Sequence, residues 1–190
     1  MEKILETKDP EDTRPILIMA ADEGRFGRLG EVRACWCPEE TRPIIPKQQV
    51  REYIYAYAAV APQLGQMTSL VLPYANTKMM NWFLKQVSED FRDYFIIMEV
   101  DRAPWHRSKT LEIPENIRLL TQASYSPELM PVEHLWEDLR ENYFNNRIFN
   151  SMSKVVDELC QGLVNQASNP ERLRSMTYFP HLRISSLNAT

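Results

Sequence analysis

Apolar and polar positions follow one another along this chain in blocks that predict strands first and helices later. Ile16 to Ala21 is a continuous apolar run, the pattern of a strand buried on both faces, and it ends at Asp22-Glu23-Gly24. Gly27 and Gly30 around Arg28-Leu29 predict a turn, and Val32 to Cys37 a second strand. Pro38 to Gln49 is a Pro-rich connection. Glu52 to Ala61 alternates and places Tyr53, Tyr55 and Tyr57 at a period of two, which reads as strand packing rather than a platform for stacking bases. Pro62 to Gln66 turns the chain, and Met67 to Leu72 returns it as a hairpin.

The period then changes. Asn76 to Val87 reads as a helix, with Asn76 as N-cap and Met79, Met80, Phe83, Leu84 and Val87 on one face. Tyr94 to Val100 is a second apolar run, ending at Asp101, and Ile117 to Leu120 is a short strand. After the turn Ser126 to Pro131, the stripe Val132, Leu135, Trp136, Leu139 and Tyr143 predicts a helix. Met152 to Val164 predicts another, with Met152, Val155, Val156, Leu159 and Leu163 inward. Residues 1–15 form a polar lead-in, 16–179 one domain, and 180–190 a short, frayed tail. Antiparallel strands followed by alternating elements imply a mixed sheet with helices packed on it.

Composition narrows this only slightly. At 190 residues, 44% hydrophobic and 25% charged, the chain is an ordinary single-domain length with enough apolar residues for a full core. A net charge of −4 argues against tight, non-specific DNA binding by the surface as a whole, but permits a metal-dependent nuclease with a local basic patch. Cys35, Cys37 and Cys160 form no disulfide framework, and no second pair or His cluster completes a zinc site around Cys35 and Cys37, so buried, reduced thiols are expected. No apolar run approaches the roughly 18 residues of a membrane span. The polar stretch Met1 to Arg14 is no signal peptide, which points to the cytoplasm.

Asp22 and Asp101 each follow an apolar run. A carboxylate just past a buried strand is held at the sheet's edge, where ligand reaches it. If the two strands are neighbours, both carboxylates enter one crevice and repel unless a cation sits between them; hard oxygen ligands suit Mg²⁺ or Mn²⁺. Glu133 stands in the first turn of the helix after Pro131, where the helix pole favours a negative charge. By position alone these three residues read equally well as turn acids and helix capping.

The surrounding words carry more. Asp101-Arg102-Ala103-Pro104-Trp105-His106-Arg107-Ser108 is followed by Ser124-Tyr125-Ser126-Pro127-Glu128-Leu129-Met130-Pro131-Val132-Glu133-His134-Leu135-Trp136. This resembles the catalytic domain of DDE transposases in the bacterial insertion-sequence branch of the mariner superfamily. Asp22-Glu23-Gly24-Arg25-Phe26-Gly27-Arg28 resembles that family's first-Asp motif, and the likeness runs from about Ile16 to Phe179. It implies an α/β, ribonuclease-H-like fold with a mixed five-stranded sheet whose first three strands are antiparallel. It also implies Asp22, Asp101 and Glu133 as catalytic ligands of two Mg²⁺ ions, with Mn²⁺ substituting. The 31 residues between Asp101 and Glu133 fit the family's spacing. The implied reaction cuts transposon inverted-repeat ends and joins them to target DNA, in the bacterial cytoplasm at the nucleoid and as a homodimer on DNA.

Secondary candidates follow from the same motifs. Arg25, Arg28, Arg107 and Lys109 stand close after the acidic positions as phosphate contacts. His106 is a further DNA candidate, although packing is the expected role for it and for Trp105. Glu137, one turn beyond Glu133, is the rival third ligand, and Asp138 points about 100° further round. Met130 stands where the family has Asn, so the helix carrying Glu133 loses its cap, and Met130→Asn is expected to raise stability and metal-dependent activity. Arg102 and Pro104 replace small residues and stiffen the loop after Asp101. The lead-in is too short for a helix-turn-helix domain, which a separate or upstream segment would supply. Two other readings remain at this level: an inactive remnant that binds DNA or protein, and a stand-alone nuclease of the same fold.

Overall fold

In a computed structural model, which describes residues 7–30, 32–34, 36–41, 43–45, 47–122 and 130–179, five strands form one mixed sheet. They are β1 (Ile16–Leu29), β2 (Gln49–Ala61), β3 (Gln66–Leu72), β4 (Phe95–Val100) and β5 (Ile117–Thr121), in the spatial order β3-β2-β1-β4-β5. The first three are antiparallel neighbours, while β4 runs parallel to β1 and β5 parallel to β4. Four helices cover the sheet: α1 (Thr77–Asp90), α2 (Pro131–Leu139), α3 (Met152–Ala167) and α4 (Pro170–Thr177).

The pleat divides the core in two. Leu17, Met19 and Ala21 of β1, with Tyr57, Ala59, Ile96 and Met98, pack under α1. Ala20 and Phe26, with Ala56, Ala58 and Val60, pack under α2, α3 and α4. Small alanines on β2 let the helices approach closely. Asn76 caps α1 by accepting a hydrogen bond from Met79 N at 3.0 Å, and Ser151 caps α3 through Lys154 N. Gly65, at φ +64°, makes the β2–β3 turn in the left-handed conformation, and a side chain there would also strike Pro170 O.

The first strand departs from expectation. β1 does not stop at Asp22 but continues to Leu29, with Asp22 opposite Ala58 and Phe26 opposite Ile54 on β2. Asp22 and Glu23 interrupt the continuous apolar run, but β2 is long enough to pair beyond it, and the alternation of buried Gly24 and Phe26 with exposed Arg25 is itself strand-like. No turn forms at Gly27. The described residues of the expected strand Val32 to Cys37 are not in a strand. The chain leaves at Gly30 and returns at Gln48, where Gly30 N donates to Gln48 O at 3.0 Å, and the Gln48 side chain donates to Phe149 O and accepts from Phe149 N.

Three further differences concern helices and thiols. α2 passes directly into a π-helical turn over Arg140–Phe144, which carries Tyr143. Helix α4, capped by Asn169 through Arg172 N, was not anticipated, because its mean hydropathy is low and only Leu173 and Thr177 are buried. Cys37 and Cys160 are exposed rather than buried. Cys35, the words from Ser124 to Leu129 and the tail 180–190 lie outside the described residues.

Candidate active site

Parallel pairing sets the first two carboxylates side by side. β1 and β4 run in register from Ile16 opposite Phe95 to Ala20 opposite Glu99. Continuing by two pairs brings Asp22 beside Asp101 at the same end of the sheet. Asp22 reaches that end from mid-strand rather than from the end of a strand.

Pleat alternation sends Asp22 and Glu23 to opposite faces. Asp22 shares the face of Ala20 and accepts a hydrogen bond from Trp136 Nε1 of α2 at 2.9 Å. Burial pushes the Asp22 carboxyl up to about 6; the Trp136 bond opposes this, and the charges of Glu23 and Glu133 add to it. Glu133 is exposed in the first turn of α2, near enough for its charge to act on Asp22. Gly24 gives Trp136 its room, since a Cβ there would lie 2.8 Å from both Trp136 Cδ2 and Phe26 Cε2.

Glu23 faces the other side, where it meets His106. The 3₁₀ turn Pro104–Arg107 buries His106 between two carboxylates: Nδ1 lies 2.8 Å from Asp101 Oδ1, and Nε2 lies 3.1 Å from Glu23 Oε1. Burial alone would push the imidazole down. The bonds to Asp101 and Glu23 outweigh it and hold His106 at about 10, so the ring is a cation with both nitrogens donating. The same bond from His106, against the opposing effect of burial, lowers the Asp101 carboxyl. Ala103 N also donates to Oδ1, leaving Asp101 Oδ2 without a bonded partner among the described residues. His106 is therefore buried, with both ring nitrogens engaged by Asp101 and Glu23. Its link to Glu23 spans 83 residues and has no signature in sequence spacing.

The remaining candidates divide clearly. Arg25 is exposed, with its guanidinium 4.6 Å from the Tyr53 ring centroid. Arg28 is committed to structure: it donates to Phe149 O and pairs with Glu52 at 2.7 Å. Arg107 and Lys109 are exposed beyond His106. Glu137 lines the same 360 Å³ cavity as Glu133, together with Arg33, His134, Arg140, Glu141 and Asn145. Asp138 is tied to Gln166, Asn142 and Arg172 and is spoken for. Trp105 packs against the α1 side of the core, as expected. Met130 makes no capping bond and is buried in the core under α2.

Among the described residues no three His, Cys, Asp or Glu side chains converge as a ready-made metal group. The donor set nonetheless fits a hard cation. It is all oxygen, it holds a carboxyl displaced upward by burial and further by neighbouring negative charge, and among the described residues it presents an unbonded oxygen on Asp101.

A mixed sheet of this order, with acidic side chains at the ends of its central parallel strands, defines a ribonuclease-H-like protein. The chain belongs to the DDE superfamily endonucleases, whose family model matches residues 17–156. It is 33% identical over 125 residues to the uncharacterized protein y4pE/y4sA of Sinorhizobium fredii, covering 65% of this chain and 93% of that protein. Among solved structures it is similar to a Mos1 transposase paired-end complex with left transposon end, at TM-score 0.64 and 16% identity over 93% of this chain and 55% of that one. It is also similar to a Mos1 mariner paired-end complex with Mg, at TM-score 0.59 and 14% identity over 85% and 51% of the two chains. The chain thus spans about half the length of the transposases whose fold it shares.

Proposed function

We propose that this chain is the catalytic part of a DNA transposase, in which Asp22, Asp101 and Glu133 hold two divalent cations, Mg²⁺ or Mn²⁺. The observation that carries the reading is the parallel register of β1 and β4, which when extended by two residues sets Asp22 level with Asp101, with the Asp22 carboxyl raised by burial and by Glu23 and Glu133. When bound, the cations would make a water or a 3′-hydroxyl nucleophilic and stabilise the leaving 3′-oxygen. The chain's own residues do the rest. Trp136 fixes the Asp22 carboxylate, His106 fixes Asp101 through Oδ1, and the pole of α2 carries Glu133. Arg25, Arg107 and Lys109, all exposed, are the residues that would hold the phosphates of the bound strand.

On this reading the substrates are transposon inverted-repeat ends and then target DNA. A separate or upstream helix-turn-helix segment finds the ends, and two copies act together on DNA, at the nucleoid. No helix among the described residues is long and apolar enough to cross a membrane. The test is Mn²⁺-dependent nicking and strand transfer on a duplex carrying the inverted repeat that flanks the coding region. Wild type should cut at the repeat's end, and Asp101→Ala should not; cutting that survives this substitution rejects the mechanism. The uncapped α2 and the unconverged carboxylates favour a second reading, a catalytically weak remnant. That reading predicts DNA binding without cutting in the same assay.

A further inference from the structure

Beside the carboxylates lies a second cavity of about 430 Å³, lined by Arg25, Arg33, Arg140 and Arg147 with Phe26 and Tyr53 among its walls. Among the described residues its only acidic lining residue is Glu23, which is already engaged by His106. Four guanidinium groups around one cavity are unexpected in a chain of net charge −4.

Two of these arginines are held in an unusual way. Arg25 lies over the ring of Tyr53, and Arg140 over the ring of Phe26, its centre 5.4 Å from the centroid. Neither guanidinium forms a hydrogen bond or ion pair with another described residue. Stacking fixes the plane of each guanidinium and leaves its N–H edge to be satisfied from outside. Arg147, by contrast, is paired with Glu158. Arg140 opens the π-helical turn after α2, an irregularity frequent at functional sites, and it also lines the neighbouring cavity that contains Glu133.

We infer that this cavity is a binding subsite for a DNA backbone phosphate, held by the stacked guanidinium groups of Arg25 and Arg140. The two cavities share Arg33, Arg140 and Asn145, so the cleft has an acidic end at Glu133 and a basic end at Arg25. A strand whose scissile phosphate meets the carboxylates passes its neighbouring phosphates to the arginines. A planar fork matches phosphate through two parallel N–H···O bonds. The subsite rests on the reading of DNA as substrate, and adds Arg140 to its recognition.

The experiment is fluorescence anisotropy with a fluorescein-labelled duplex bearing a 3′ single-stranded overhang, in EDTA so that no cutting occurs, across a salt series. Arg25→Ala and Arg140→Ala should each weaken binding several-fold and lower the salt slope by about 0.7 to 0.9, the contribution of one phosphate contact. Lys85→Ala, on the opposite face of the sheet, should change neither. Arg25 is exposed, so its variant should fold even if Arg140→Ala loosens the packing on Phe26; Arg140→Lys, which keeps charge without the planar fork, should recover only part of the affinity. An unchanged slope in both alanine variants overturns the subsite. Mn²⁺-dependent nicking by the same preparations separates the two claims. Normal cutting with unchanged slopes rejects the subsite alone, and arginine-dependent binding without cutting rejects the catalytic reading alone.

Discussion

Asp22 holds its charge at a cost. With a carboxyl at about 6 in the folded chain against 3.8 as its ordinary value, the folded state binds the proton more tightly than the unfolded one. Stability therefore falls as pH rises from about 4 to 6, and above that window the penalty is fully present, about 3 kcal/mol. Without metal, Asp22→Asn should melt higher than wild type at pH 7.5, with the gap narrowing towards pH 4; a gap independent of pH removes the argument. Met130 calls for a different sign from the one its sequence suggests. A capping Asn would contribute about 1 kcal/mol, but Met130 is buried in the core, and such a side chain contributes about 1.5 to 3 kcal/mol. Met130→Asn is thus expected to lower the melting temperature, measured by calorimetry. The Met130 departure was visible in the sequence, but its burial was not, because burial depends on where α2 packs. Asp101 just past β4 and Glu133 in the first turn of α2 stand where local patterns predict them, whereas Asp22 lies within β1 and not at its end. The Glu23–His106–Asp101 bridge left no local pattern.

At the scale of the element, β1 is where sequence and structure part. Apolar runs report burial, and a strand that leaves the core while still paired stops looking apolar. Tyr53 to Val60 on β2 showed their alternation, but nothing local indicated that β2 would pair with Glu23 to Gly27. Gly27 and Gly30 read as turn punctuation in the sequence, whereas Gly27 meets a neighbouring strand: a Cβ would lie 2.2 Å from Glu52 O. Backbone cannot yield as a side-chain tip can. Gly27→Ala should destabilise by about 1 to 3 kcal/mol, read by urea unfolding. An Ala variant as stable as wild type would mean that β1 and β2 separate before Gly27. Helix α2 was legible from its stripe, but its π-helical continuation was not, since the stripe runs on through Tyr143 with little change in period.

For the molecule as a whole, the class of fold was legible because the order of strands and helices is a long-range pattern written in local blocks. The distribution of charge was not: a net charge of −4 conceals an acidic crevice beside an arginine-lined cavity. Repulsion inside the crevice makes a cation a stabiliser of the native state. Saturating Mg²⁺, at about 100 times its dissociation constant, should add about 2.7 kcal/mol to the wild type. The same addition should leave Asp22→Asn and Asp101→Asn nearly unchanged in a thermal melt. A comparable rise in these variants would place the ion elsewhere.

The neck between Gly30 and Gln48 has a consequence for engineering. One backbone hydrogen bond closes it, and the Gln48 amide fastens it to Phe149, so both ends of the excursion are anchored independently of what lies between them. That is the architecture of an insertion port. A foreign domain whose termini lie a few ångströms apart could be spliced there, beyond Arg33, without disturbing the strand that carries Asp22.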